Sequence, residues 1–342
     1  MKKLGLLFSV ATLGLLASCG EATDTLTTTK GETTTVETTT ETITETTTET
    51  TTETTTTVED EALSVICPSG TPSLALANYY NSVNGENMEI VEGSDQLIAA
   101  FGSKSHDVIV APVNLGAKFF NTNGNYVLAK TFVWGNLFLA SKADLTSFED
   151  IDGKTLTVFG QNSTPDVLTK ILINEMDLNV TIEYVDAVST ANSLLVAEKA
   201  DYIITAEPSI SKIKEAQGIN VIDLQEEYSK VTGKTSYPQA GIFIKADSKD
   251  DQKVLATVNK LIKSVEDTVS NPETSAEAAV LMSASFEKLG KETLVKAIPN
   301  CHYVISAKDD EKAAVIEYLS YMIDLGFDKQ VGGKVPGEEF FL

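Results

Sequence analysis

Apolar and polar residues alternate along this chain in two rhythms. Residues 63–67, 88–92 and 107–111 are short runs rich in apolar and β-branched side chains and read as strands, while 73–82 and 94–102 carry apolar residues at helical spacing. The order strand, helix, strand, helix, strand predicts a doubly wound sheet. A second block repeats it, with strands at 155–159, 181–185 and 202–205 and helices at 165–175, 190–198 and 208–215. Two blocks of similar order predict two lobes. Two nearly uncharged stretches, KTFVWGNLFLASK between the blocks and SYPQAGIFIKADSK after the second, are expected as strands that pass from one lobe to the other. Beyond Ser248 the pattern is largely helical, as expected of helices returning to cover the first lobe. The expected fold is therefore α/β, two lobes joined by two crossover strands around a central ligand cleft.

The start of the chain, MKKLGLLFSVATLGLLASCG, breaks this rhythm with two lysines, an apolar run from Leu4 to Leu16 and then small residues. That is the pattern of an export signal, too short to span a bilayer. Leu16, Ala17, Ser18 and Cys19 resemble the bacterial lipobox, which implies a signal peptide over 1–18 and a lipid-modified Cys19. Acyl chains on Cys19 would hold the protein at the extracytoplasmic face of the cell membrane. From Glu21 to Asp60 the chain is mostly Thr punctuated by Glu. Such a segment buries too little apolar surface to offset its ordering entropy, so 19–62 is expected to be an extended tether. A glycosylated adhesin stem fits the same composition.

The chain has 342 residues and a formal charge of −23, and it stays strongly negative without the leader and tether. A basic face for nucleic acid is therefore not expected. Beyond Cys19 there are two cysteines, Cys67 in a strand-like run and Cys301 in the connector PNCHY, and neither belongs to a CxxC motif. Two buried or half-buried free thiols are the simpler expectation. The two histidines, His106 and His302, read as surface or boundary residues. No nucleophile elbow, HExxH or zinc-spaced cluster is present, and the GGK at Gly332–Lys334 lacks the rest of a phosphate loop, so no enzyme, metal or cofactor is expected.

The stretch LTVFGQNSTPDVLTKIL holds the main candidate chemistry. A strand ends there and a helix begins, with Thr164 expected as N-cap, Pro165 at the first helical position and Asp166 in the first turn. Such junctions in open α/β sheets present backbone N–H groups and the positive end of a helix dipole, which suits a ligand, although most merely turn the chain.

With SGTPSLALANYY, SFEDIDGKTLTVFGQNSTPDVLTKIL, ADYIITAEPSIS and VGGKVPGEEFF in this order, the chain resembles the type 2 periplasmic binding proteins of ABC importers, and more narrowly the nitrate, sulfonate, taurine and thiamine-precursor group. The resemblance covers 63–342. It implies 63–141 as the first part of lobe 1, 142–239 as lobe 2 and 240–342 as the return to lobe 1. It further implies a monomer that closes around one small molecule and hands it to an ABC permease. Carried over by position, the ligand would meet Ser69, Gly70, Thr71 and Pro72, then Asn114 at the end of another strand, from the first lobe. From the second come Gln161, Asn162, Ser163 and Thr164, the acidic-Pro pair Glu207 and Pro208, and Tyr237, Pro238 and Gln239 before the second crossover. Gln161 and Asn162 depart from the small residues often found in that loop. Trp134 at the first crossover would stack on the ligand or pack the hinge, and Glu207 would meet a ligand amine or cap the following helix.

These loops contain no Arg or Lys, which favours a neutral or cationic heterocycle such as a thiamine-precursor pyrimidine. Hydroxyls and helix N-termini would still serve a sulfonate, taurine or nitrate. The resemblance also raises the fungal thiamine-pyrimidine synthases, which need a cofactor-bearing Lys, a substrate His and an iron site in the cleft; no His lies in these loops. An adhesin retaining the fold on a Thr-rich stalk is the third class.

Overall fold

The computed structural model describes residues 62–342, so the leader, Cys19 and nearly all of the tether lie outside the described residues. Ten strands form two five-stranded sheets. The first contains β1 (Val65–Pro68), β2 (Met88–Val91), β3 (Val108–Pro112), β4 (Tyr126–Val133) and β10 (Ala240–Lys245), in the order β2-β1-β3-β10-β4. The second contains β5 (Leu137–Ser141), β6 (Thr155–Phe159), β7 (Thr181–Val185), β8 (Tyr202–Ala206) and β9 (Asn220–Asp223), in the order β7-β6-β8-β5-β9. Each sheet has three parallel strands followed by one antiparallel strand that has come from, or leads on from, the other lobe: β10 lies between β3 and β4, and β5 between β8 and β9.

In the first lobe the helices are α1 (Thr71–Ala75), α2 (Ala77–Ser82), α3 (Asp95–Ser103) and α4 (Val113–Asn123). The second lobe has α5 (Thr164–Glu175), α6 (Val188–Val196), α7 (Ser209–Gln217) and α8 (Leu224–Thr232). The chain returns with α9 (Gln252–Ser270), α10 (Pro272–Met282), α11 (Ala284–Leu289), α12 (Lys291–Ala297), α13 (Lys308–Asp324) and α14 (Asp328–Val331). None of the helices in the described residues is long and apolar enough to cross a membrane.

The apolar runs of the central strands are explained by burial on both faces. Ile66, Ile109, Ala111 and Phe243 point into one core, and Val65, Cys67, Val108, Val110, Ile242 and Ile244 into the opposite one. Successive residues alternate between the two because the strand repeat is two. The first of these cores continues into the second lobe through Leu137, Leu139, Leu156, Val158 and Ile204, so the lobes share packed apolar surface.

Four expectations need correction. The crossings are not strands that run through: β4 ends at Val133 and β5 starts at Leu137, so Trp134, Gly135 and Asn136 make the passage as a non-strand link. Since β5 pairs in the second sheet, that lobe begins ahead of the expected boundary at 142. The helix expected over 73–82 is two short ones broken at Leu76, and Asn114 is in the first turn of α4, since its strand ends at Pro112. Finally, Ser163 occupies the N-cap position in extended backbone, and Thr164 is the first helical residue of α5.

Candidate functional site

Strand ends and helix starts from both sheets meet at the two crossings. Gly70 precedes α1 with φ of +102°, a conformation that glycine adopts at little cost, and a side chain there would project into open space. Its neighbour Thr71 is 2% exposed, and its hydroxyl donates to the backbone carbonyl of Glu207 over 2.6 Å. That single hydrogen bond joins the first lobe to the second. Asn136, in the first passage, donates from Nδ2 to Thr71 Oγ1 and from its backbone N–H to Gln239 Oε1 at 3.0 Å, while its carbonyl accepts from Glu207 N at 3.3 Å. Asn136 thereby ties together both crossings and both lobes. The Tyr303 hydroxyl closes the arrangement from the returning chain by donating to the Thr71 carbonyl at 2.7 Å.

Glu207 is 5% exposed. It accepts from Ser211 Oγ at 2.8 Å, from Ser211 N at 3.3 Å and from Asn300 Nδ2 at 3.4 Å. Burial pushes its carboxyl above the usual carboxylate range, against the pull of these donors. Its partners in the first turn of α7 match the capping role. A second contact between lobes joins Thr164 Oγ1 to Asn114 Oδ1 over 3.4 Å, and both residues are buried.

The polar junction before α5 is less free than its sequence suggests. Asp166 is fully buried in the first turn; it accepts Asn162 N at 2.8 Å, the Tyr184 hydroxyl at 2.7 Å and Lys170 Nζ at 2.9 Å. The helix start therefore already holds an anion of its own. Ser163 turns its hydroxyl back to the Gly160 carbonyl at 2.6 Å, while Gln161 and Asn162 are exposed, Asn162 in left-handed backbone with φ of 63°.

Trp134 is 6% exposed and donates its indole N–H to the Val304 carbonyl at 3.1 Å, as hinge packing requires. Tyr237 is fully buried in an aromatic cluster, edge-on to Tyr228 and tilted against Tyr318. That cluster belongs to the hinge core. Ser69 and Pro72 are half-buried beside Thr71, with Ser69 N on the Val91 carbonyl at 2.8 Å. Cys67 and Cys301 are buried free thiols, and burial raises both well above the ordinary thiol range.

Sequence reasoning missed Asn136, Asn300 and His302. His302 Nδ1 lies on the Gly135 carbonyl, so it carries the proton in that contact, and Nε2 is 3.8 Å from Asp223 Oδ2. The position of Asn136 at the end of a crossing stretch was its only signal. Among the described residues no group of three or more His, Cys, Asp or Glu is arranged to hold a metal ion.

No model of a protein family matches the chain, and no curated protein matches it in sequence. Solved structures do. An ABC transporter structure from Parabacteroides distasonis is 21% identical with a TM-score of 0.68, over 83% of this chain and 99% of that one. The periplasmic aliphatic sulphonate binding protein of Escherichia coli is 12% identical with a TM-score of 0.62, over 80% and 89%. A Candida albicans protein described as having the generic periplasmic binding protein fold is 11% identical with a TM-score of 0.53, over 82% and 92%. This chain has the type 2 periplasmic-binding-protein fold. In that fold the passages at Trp134–Asn136 and Ser236–Gln239 form the hinge, and the groups hydrogen-bonded from lobe to lobe line the closed cleft.

Proposed function

We propose that this protein is the extracytoplasmic solute-binding component of an ABC importer, held at the membrane by a lipid on Cys19, which closes its lobes on one small organic molecule and presents it to a permease. The observation that carries this reading is the set of cross-lobe hydrogen bonds through Thr71, Asn136 and Glu207, at positions where strand ends of both lobes converge. A ligand touching both sets of groups would favour the closed state, because only that state satisfies both.

The sulphonate-binding neighbour from Escherichia coli supports an organosulfonate as ligand. A flat heterocycle, such as a thiamine-precursor pyrimidine, is the second reading. It is supported by the absence of Arg and Lys from the clamp residues and by Asp166, which already compensates the start of α5. No catalytic role is assigned to any of these residues.

The test is native mass spectrometry of the domain purified gently from its source, followed by denaturation and identification of what is released. A stoichiometric small molecule that is lost in Thr71→Val and Asn114→Ala variants supports the receptor reading and names the solute. A reproducibly empty protein, with no thermal shift from sulfonates, taurine, nitrate or pyrimidines, would favour the adhesin on a Thr-rich stalk.

A further inference from the structure

Asn136 holds a hydrogen-bonding asymmetry that bears on the ligand, a bearing that rests on the solute-binding reading. The Thr71 hydroxyl has one proton, and it is committed to the Glu207 carbonyl at 2.6 Å. The oxygen of Thr71 can then only accept, so the Asn136 atom facing it must be the amide nitrogen. This fixes the orientation of an amide whose oxygen and nitrogen are otherwise easily exchanged. The amide oxygen, Oδ1, is consequently turned away from Thr71. It is buried and has no hydrogen-bond partner, on a side chain only 2% exposed. The backbone N–H and carbonyl of the same residue are both satisfied, by Gln239 and Glu207.

A buried acceptor without a donor costs on the order of 1–3 kcal/mol, and such groups in native proteins call for an explanation. Here the orphan lies where the two lobes and both passages meet, within one hydrogen bond of Thr71, Glu207 and Gln239. We infer that Asn136 is a specificity-determining residue whose Oδ1 receives an N–H donor of the ligand. The ligand class is then amine-bearing: an aminosulfonate rather than a simple alkanesulfonate or nitrate, or an aminopyrimidine rather than its unsubstituted ring. An acceptor-only group placed at Oδ1 would set two oxygens against each other with no proton between them. Sites built to hydrogen-bond a substrate N–H discriminate strongly against analogues that lack it, because the protein group is left unpaired.

The experiment is calorimetric titration of the domain with two matched pairs: taurine against ethanesulfonate, and 4-amino-2-methylpyrimidine against 2-methylpyrimidine. The expected result is that the amine-bearing member of at least one pair binds tenfold or more tightly than its partner, and that Asn136→Ala removes the preference while keeping a cooperative thermal transition. The preference in the unmodified protein is itself a test that no variant can spoil by misfolding. Equal binding of both members overturns the inference and leaves the receptor reading intact, and so does a preference that survives in Asn136→Ala, which would mean that a buried water satisfies Oδ1. Binding of no member of either pair overturns the amine-bearing ligand class, while the co-purification experiment decides the receptor reading separately.

Discussion

Gly135 stands between Trp134 and Asn136 with φ of +83°, and a Cβ there would lie 2.0 Å from Gln225 Oε1 and 3.0 Å from the Tyr237 ring. Both backbone and space thus require glycine, and Gly135→Ala is expected to lower unfolding stability by roughly 1–3 kcal/mol, read by denaturant titration. Glu207 gives a pH dependence. Its folded carboxyl is raised by burial, so it holds its proton more tightly than the unfolded one. Its contribution to stability is full below the unfolded value of about 4.3 and is lost as pH rises through the raised folded value. Thermal scans from pH 4 to pH 8 should show Glu207→Gln losing less stability across that range than the unmodified protein. At this scale the sequence was partly legible. Thr71 and Glu207 were recognisable from local motifs, but Asn136 and Asn300 enter the site through contacts between residues that are distant along the chain. No local pattern marks such residues.

Among the elements, α13 joins the lobes. Tyr318 and Tyr321 on α13 meet Tyr237 and Tyr228, which come from the second passage and from α8. Tyr318 is fully buried and its hydroxyl has no partner. Two substitutions separate packing from polarity. Tyr318→Ala should cost about 3–5 kcal/mol by opening a cavity, whereas Tyr318→Phe should be neutral or stabilising because it removes an unsatisfied buried hydroxyl. Chemical denaturation of both variants checks the pair. The strands of the parallel triplets were readable because burial on both faces makes them continuous apolar runs. Two helices were not: α4 carries Gly116 and three asparagines in its short span, and α8, LQEEYSKVT, shows only a few apolar positions. Gly116 lies where an added Cβ would meet the Phe243 ring at 2.1 Å, so α4 reads poorly as a helix because it must approach the sheet closely.

For the whole molecule, the closed arrangement depends on few polar contacts and one continuous apolar core. Thr71→Val preserves shape but removes the hydroxyl that links the lobes. It is expected to shift the ligand-free protein towards an open form with a larger radius of gyration, measured by small-angle X-ray scattering; an unchanged radius would assign closure to the α13 packing instead. The two-lobed plan was legible because the strand-helix order occurs twice in sequence. The closeness of the lobes was not, since it depends on side chains that meet only after both sheets exist.

The place of β10 has a consequence for how the chain reaches this state. β4 has β10 as its only neighbour in the first sheet, and β3 meets nothing on that side until β10 is inserted. A chain growing from its amino end therefore cannot complete its first sheet until residues 240–245 have been made, after the whole second lobe. Until then β4 is a strand waiting for a partner more than a hundred residues downstream. A chain ending before Ala240 should show no cooperative unfolding of its first lobe, and a nascent chain would remain pliable for most of its synthesis, the condition that threading through a narrow translocation channel demands.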